Sequence, residues 1–189
     1  SVTGHLPTCL DASPTWAGVV RRLTITNTPL GAWQLDQNLP VQFRDGAVRA
    51  ELACLWTPDG PGRVCLNGLR AGADGEAALA FNALPLDLLL LFMDPIFRVG
   101  SRLRGAVRLG WDASGVRDLG GTLVAGPGAF RLLGSDQDLV EIAGVRLNLA
   151  APQPRALRSD LALRLEAGTE LTASATIPDL SDPADLRLD

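Results

Sequence analysis

The chain contains no lysine, no tyrosine, one histidine and one methionine among its 189 residues. Without lysine, no phosphate-binding GK[ST] loop can form, and we attribute the all-arginine set of 17 basic residues to base-composition bias of the genome. A net charge of −4 argues against nucleic-acid binding, which needs a basic face. Aromatic side chains, at 5%, are too scarce for platforms on which bases stack.

Long hydrophobic runs are also missing. The longest one, over 84–93, contains Pro85 and Asp87 and is too short to cross a hydrocarbon layer of about 30 Å. The chain begins at Ser1 without an initiator methionine or a signal peptide, and it ends in what resembles an interrupted strand. We therefore expect a piece of a longer protein whose membrane anchor lies outside this piece.

Motifs for catalysis and metal binding are absent from the sequence. A nucleophile–histidine–acid triad would have to use His5, and no GxSxG motif is present. The sequence has no CxxC pair, and its one histidine, His5, is near Cys9 alone, which disfavours zinc. We predict no enzymatic activity, no catalytic residue, no metal site and no cofactor.

The sequence contains long stretches in which apolar and polar residues alternate. Leu103, Val107 and Leu109 share one parity, whereas Arg104 and Arg108 occupy the other, and this pattern continues to about residue 188. Period two is typical of strands with one apolar and one solvated face, so we interpret the arginines as the solvated side. Because short turns separate successive strands, we predict a mostly β protein with a long, curved antiparallel sheet.

The strands are delimited by turn residues such as Asp45-Gly46, a strong hairpin pattern. Residues 1–16 are predicted to be irregular. The predicted strands are 18–27, 32–36, 41–44, 48–56, 63–67, 77–82, 102–111, 116–124, 128–133, 139–142, 145–149, 156–166 and 170–177.

One short helix is predicted over 84–94, because Pro85 suits a first helical turn and Pro95 ends the segment. No linker is evident, so residues 1–189 are interpreted as a single segment. The helix is the one plausible divider, with possible lobes at 1–83 and 96–189.

The cysteines suggest a cross-strand pair. Cys54 and Cys65 are equidistant from the centre of the turn at Asp59-Gly60, so they face each other in a hairpin folded there. Opposed residues in such a hairpin are close enough for a disulfide, which would imply an oxidising compartment. Two buried free thiols are the alternative. Cys9 is left without an assigned role.

Several segments together resemble the TamB family, within the AsmA-like group. They are Trp16-Ala-Gly18, Gly31-Ala-Trp33-Gln-Leu35, Leu52-Ala-Cys54-Leu55, Val64-Cys65-Leu66-Asn67-Gly68, Leu84-Pro85-Leu86 and Leu103-Arg104-Gly105. The order and spacing of these segments resemble the family over about 15–135, and beyond that only the alternation does.

The resemblance implies a periplasmic protein whose full-length form is anchored in the bacterial inner membrane. TamB-like proteins look like long β-sheets folded into a U-shaped trough, a β-taco, and are associated with phospholipid transport to the outer membrane. The resemblance also implies pairing with the outer-membrane barrel TamA, through parts outside this chain, and a role in assembling outer-membrane proteins.

The residues point independently to an apolar trough, because one short helix cannot cover the apolar face of about a dozen strands. Acyl chains of phospholipids are the expected occupants. The predicted wall residues are Phe43, Leu52, Phe81, Leu103, Val107, Leu109, Trp111, Leu123, Phe130, Leu132, Leu147, Leu161, Leu163, Leu171 and Ile177.

Two other interpretations stay open. The chain could be an interaction module or chaperone whose sheet edges accept strands of client membrane proteins by β-augmentation. It could also be a closed barrel or sandwich that buries its own apolar face and has a structural purpose.

Overall fold

The computed structural model describes residues 2–5, 15–28, 31–58, 60–86, 97–132, 138–153, 156–179 and 187–188. These residues form one large, open, antiparallel β-sheet with almost no helix, which confirms the predicted fold class. In the described part of the chain, no helix has the length and apolar character needed to cross a membrane.

The described residues form seventeen strands. They are β1 (Val2–His5), β2 (Trp16–Val20), β3 (Thr24–Thr28), β4 (Gly31–Leu35), β5 (Leu39–Arg44), β6 (Ala47–Ala50), β7 (Ala53–Trp56), β8 (Arg63–Ala71), β9 (Gly75–Pro85), β10 (Phe97–Val99), β11 (Arg102–Asp112), β12 (Gly115–Ala125), β13 (Gly128–Leu132), β14 (Asp138–Ala150), β15 (Leu157–Leu165), β16 (Glu170–Ile177) and β17 (Arg187–Leu188).

The strands form a meander of twelve rows, in which each row pairs with the row before and the row after it in sequence. Five rows consist of two strands placed end to end: β2 with β3, β4 with β5, β6 with β7, β10 with β11, and β12 with β13. Strands β8 and β14 pair along their lengths with both members of such a row. Short connections between sequential neighbours explain why every pairing is antiparallel.

Interruptions in adjacent rows line up into what we call the first crease: residues 21–23, 36–38, 51–52 and Gly68. Gly68 has a φ of 144° and lies in a register shift between Leu66 and Leu69. Because the ladder is interrupted in neighbouring rows at the same level, the sheet can bend there.

Polar side chains replace the missing ladder bonds at the first crease. The Cys54 backbone N–H donates to Asp36 Oδ1 at 3.1 Å, and the Asp36 backbone N–H donates to the Cys54 carbonyl at 2.9 Å. Gln37 Nε2 donates to the Leu52 carbonyl at 2.9 Å. These bonds satisfy backbone groups that the bend would otherwise leave unpaired.

A second crease crosses the later rows at residues 100–101, 126–127 and 143–144. The buried Ser101 bridges it, because its Oγ donates to the Gly126 carbonyl at 2.8 Å. The Leu86 backbone N–H donates to the Ser101 carbonyl at 2.9 Å. Both creases are therefore fixed by short polar side chains at interruptions of the ladder.

The core lies on one face of the sheet, around the second crease. Its buried residues are Trp33, Leu84, Leu86, Val99, Leu103, Leu123, Ala125 and Ile142. Among the described residues, Ile142 is the one large side chain less than 2% exposed. The accessible surface of 12305 Å² exceeds the roughly 8,700 Å² expected of a compact monomer of this mass. Seven large apolar side chains of the described residues, among them Leu161 and Leu171, are at least 37% exposed.

Several predicted boundaries were wrong. The segments predicted as single strands at 18–27 and 48–56 are each two strands, because the ladder breaks at the first crease. Conversely, the segments predicted as separate strands at 139–142 and 145–149 are one strand with a register shift between Ile142 and Gly144.

Two further corrections concern the N-terminal segment and the helix. Part of the segment predicted to be irregular forms β1, which pairs with β2. The predicted start of the helix was wrong: Leu84 pairs with Leu103, Pro85 ends β9, and the rest of the predicted helix lies outside the described residues apart from one 3₁₀ residue at Leu86. Strands β9 and β11 pair directly across the predicted divider, and the division into lobes stays a prediction.

Candidate functional site

The candidate site is one face of the sheet, which we call the apolar face. Cross-strand partners point to the same side of a sheet, so the register identifies its members. One unbroken line of partners crosses nine rows: Leu35, Leu55, Val64, Phe81, Gly105, Leu123, Leu147, Leu161 and Ala173.

Among the described strand residues, no charged residue interrupts this face. From β2 to β16, none of the positions that the described register assigns to the apolar face holds Asp, Glu or Arg. Thr28 and Ser159 are its polar residues, and Thr28 Oγ1 accepts a hydrogen bond from Trp33 Nε1 at 3.1 Å. A charge-free surface of this extent in an open sheet offers contacts for apolar guests and no charged partner for polar ones.

Burial varies along the apolar face. The residues around the second crease are buried, whereas Ile25, Leu161 and Leu171 are 41%, 40% and 53% exposed. Leu147 and Leu163 are half-buried and pack against the core. The protein therefore covers the centre of the apolar face itself and leaves its flanks open.

Most of the predicted wall residues lie on this face. The register assigns to it Phe43, Phe81, Leu103, Val107, Leu109, Trp111, Leu123, Leu147, Leu161, Leu163, Leu171 and Ile177. Phe130 and Leu132 lie in β13, opposite Val99 and Phe97 of β10. Leu52 lies in no strand: it is in the first crease and is 53% exposed.

Sequence reasoning missed several members of the core. Leu84 and Leu86 were assigned to a helix, while Val99 and Ile142 lie beside the second crease. Trp33 lies in the predicted strand 32–36 but was not proposed as a wall residue. The meeting of these residues in one cluster depends on the creases, which the sequence pattern did not locate.

The other side of the sheet is the polar face, and it holds the two cysteines. Cys54 and Cys65 are direct cross-strand partners on β7 and β8, with their Cα atoms 3.9 Å apart and their Sγ atoms at bonding distance, 2.02 Å. The pair lies beside the first crease, where Asp36 also binds Cys54. Its oxidation in the cell stays a prediction.

Charged groups cluster on the polar face, and one shows a shifted pKa. The Asp160 carboxylate accepts hydrogen bonds from Arg158 Nε at 3.0 Å and from Ser174 Oγ at 3.0 Å. The hydrogen bond from Arg158 is the larger cause, and the one from Ser174 the smaller, that holds the pKa of Asp160 below its ordinary value of 3.8.

Among the described residues, no group of three or more His, Cys, Asp or Glu side chains could hold a metal ion.

An open sheet with a charge-free face defines a class of protein that presents an extended apolar surface. Among known families, the family model described as TamB, N-terminal domain, matches residues 4–187. The chain belongs to the TamB family, whose members are transport and assembly modules of the bacterial envelope. The match extends well beyond 15–135, where the resemblance of the sequence segments ended. Comparisons with curated proteins and with solved structures gave no match.

Proposed function

We propose that this chain is a periplasmic segment of a protein that moves phospholipids between the two membranes, and that its apolar face shields their acyl chains from water. The observation that carries the proposal is the charge-free line of partners across nine rows, with Leu161 and Leu171 open on its flank. Membership in the TamB family supports it.

The apolar face offers enough free energy for this task. Burying a methylene group is favourable by about 0.8 kcal/mol, so a tail of about 15 carbons gains on the order of 10 kcal/mol before the entropic cost of ordering it. Rows are spaced about 4.8 Å apart, so nine rows make a track on the order of 40 Å long. Because aliphatic side chains line successive rows, a tail can slide along them without a deep trap.

The remaining parts of the proposal concern the whole protein. The full-length form would be anchored in the inner membrane and would contact the outer-membrane barrel TamA through parts outside this chain. The segment itself would lie in the periplasm, where an oxidising environment suits the Cys54–Cys65 pair.

Charge placed on the apolar face tests the proposal. Leu147→Arg puts a guanidinium on that face, whereas Asn148→Arg puts the same group on the polar face one residue away. Native mass spectrometry of the purified chain should show co-purified phospholipid in the wild type and Asn148→Arg and a loss of it in Leu147→Arg. Circular dichroism checks that both variants fold. Equal lipid content in two folded variants would count against the proposal.

A second candidate function is β-augmentation, in which the segment assists assembly of outer-membrane proteins. Within the described residues, β3 pairs with β4 alone, and four of its five residues are exposed. A client strand could therefore add to the outer edge of β3. Thr26→Pro should abolish binding of a synthetic amphipathic strand peptide, while Thr26→Val keeps the backbone N–H and the binding. Binding to both variants alike would exclude this edge.

A further inference from the structure

A groove on the polar face gathers three arginines that have no ion-pair partner among the described residues. The groove measures about 460 Å³ and lies at the second crease, with Arg104 on β11, Arg146 on β14 and Arg164 on β15 at its walls. All three side chains are exposed. The floor contains Val124, Ala143, Gly144 and Ala162, which are small or short and leave the space open.

The register fixes how close these arginines are. Arg104 and Arg146 both oppose Val124, from the two sides of β12, so two strand spacings, about 10 Å, separate their backbones. Arg164 opposes Gly144 and is diagonal to Arg146, at about 7–8 Å. Glu170 lies directly opposite Arg164 and is the one carboxylate that lines the groove.

This arrangement differs from the other arginines of the polar face. Four arginines lie outside the groove, and each forms an ion pair with an aspartate. These arginines are Arg44, Arg63, Arg70 and Arg158. A second groove on the same face holds Arg49, Arg70, Arg108 and Arg117, but Glu51, Glu76 and Asp118 line it as well. The first groove thus holds three arginines against one carboxylate, a larger excess of positive charge than the four against three of the second groove, in a chain whose net charge is −4. Like charges at this spacing repel each other unless an anion neutralises them.

We propose that this groove binds a phosphate group. Guanidinium groups match phosphate oxygens with paired, charge-assisted hydrogen bonds, and three of them can surround one tetrahedral anion. The groove is on the side of the sheet opposite to the apolar face, so this proposal does not rest on lipid tails occupying that face. The phosphate could be free or could belong to a lipid head group at a membrane surface.

Phosphate binding can be measured on the whole chain by NMR titration with inorganic phosphate, and by co-sedimentation with vesicles of phosphatidylglycerol. Arg146→Gln removes the central arginine, and Arg108→Gln removes one from the second groove, where three carboxylates accompany four arginines, as the matched control. We expect at least one of the two probes to bind the wild type, about five- to tenfold weaker binding in Arg146→Gln, and little change in Arg108→Gln. Binding of inorganic phosphate identifies a free anion as sufficient, while binding of vesicles alone identifies the head group at a surface.

Two results would overturn the proposal. One is that neither probe binds the wild-type chain. The other is that Arg146→Gln and Arg108→Gln weaken binding equally, which would show general attraction to a basic surface. Loss of lipid from Leu147→Arg would leave phosphate binding intact, so the tests of the two proposals are separable.

Discussion

Asp36 and Cys54 are joined by two hydrogen bonds across the first crease. The Asp36 carboxylate accepts from the Cys54 backbone N–H at 3.1 Å, and the Asp36 backbone N–H donates to the Cys54 carbonyl at 2.9 Å. Arg63 Nη2 lies 3.8 Å from the same carboxylate. One short acidic side chain thus holds the rows together where the ladder is interrupted.

Asp36→Ala should destabilise the sheet by about 1–2 kcal/mol, because the partly buried Cys54 N–H loses its acceptor. Asp74→Ala is the control, since the Asp74 side chain is 61% exposed and forms a 3.5 Å ion pair with Arg70 of little energetic weight. Urea unfolding measures both free energies. Equal values for the two variants would show that the crease does not depend on Asp36.

Two neighbouring glycines on β12 differ in the space beside them. A Cβ added at Gly121 would lie 2.9 Å from Val107 Cα, within the apolar face, whereas one added at Gly120 would meet no atom within 4 Å. Gly121→Ala should therefore cost about 1–3 kcal/mol of stability, and Gly120→Ala less than about 0.5 kcal/mol. Thermal unfolding of the two variants distinguishes them, and a Gly121→Ala chain as stable as the wild type would contradict the close packing of β11 on β12.

The Cys54–Cys65 pair should be oxidised in protein isolated from the periplasm. Mass spectrometry without reduction should recover the two cysteines as one linked peptide pair. Removing the cross-link with the Cys54→Ala, Cys65→Ala double variant should lower the free energy of unfolding by about 2–3 kcal/mol, as expected for a loop of this length. Recovery of both thiols free would refute the pairing.

Asp160 should titrate below 3.8, because Arg158 and Ser174 stabilise its charged form. Its folded pKa is lower than its unfolded pKa, so its contribution to stability is present above the unfolded value and is lost as the pH falls through the folded value. Carboxyl-carbon NMR should show a raised pKa in Ser174→Ala and an unchanged one in Ser159→Ala. An unshifted Asp160 in the wild type would contradict the hydrogen bonds.

The alternation in the sequence predicted which residues share the apolar face, because side-chain direction in a strand depends on parity alone. It did not predict where the strands bend. The apolar residues switch from even to odd positions between Ala50 and Ala53, and they switch again between Ile142 and Val145. The two places therefore look alike in the sequence. The first is a break between two strands, and the second is a bulge within one strand. Only the pairing with neighbouring rows decides between them, and that information is not local.

The groove of arginines was hidden for a related reason. Arg104, Arg146 and Arg164 each alternate with leucines and were interpreted as separate solvated positions. Their proximity follows from the register of β11, β12, β14 and β15, which brings Arg104 within two strand spacings of Arg146 and places Arg164 on the next strand. Sequence spacing alone offers no hint of it.

The central claim is that lipid tails contact the apolar face and not the polar face. Leu161 on β15 and Asn148 on the neighbouring strand β14 lie on opposite faces, and Asn148 is outside the arginine groove, so a photo-crosslinking amino acid at each position samples the two surfaces. After irradiation in cells, we predict phospholipid adducts at position 161 at least about tenfold more often than at position 148. Equal adduct formation at the two positions, or none at 161 in folded protein, would contradict the account.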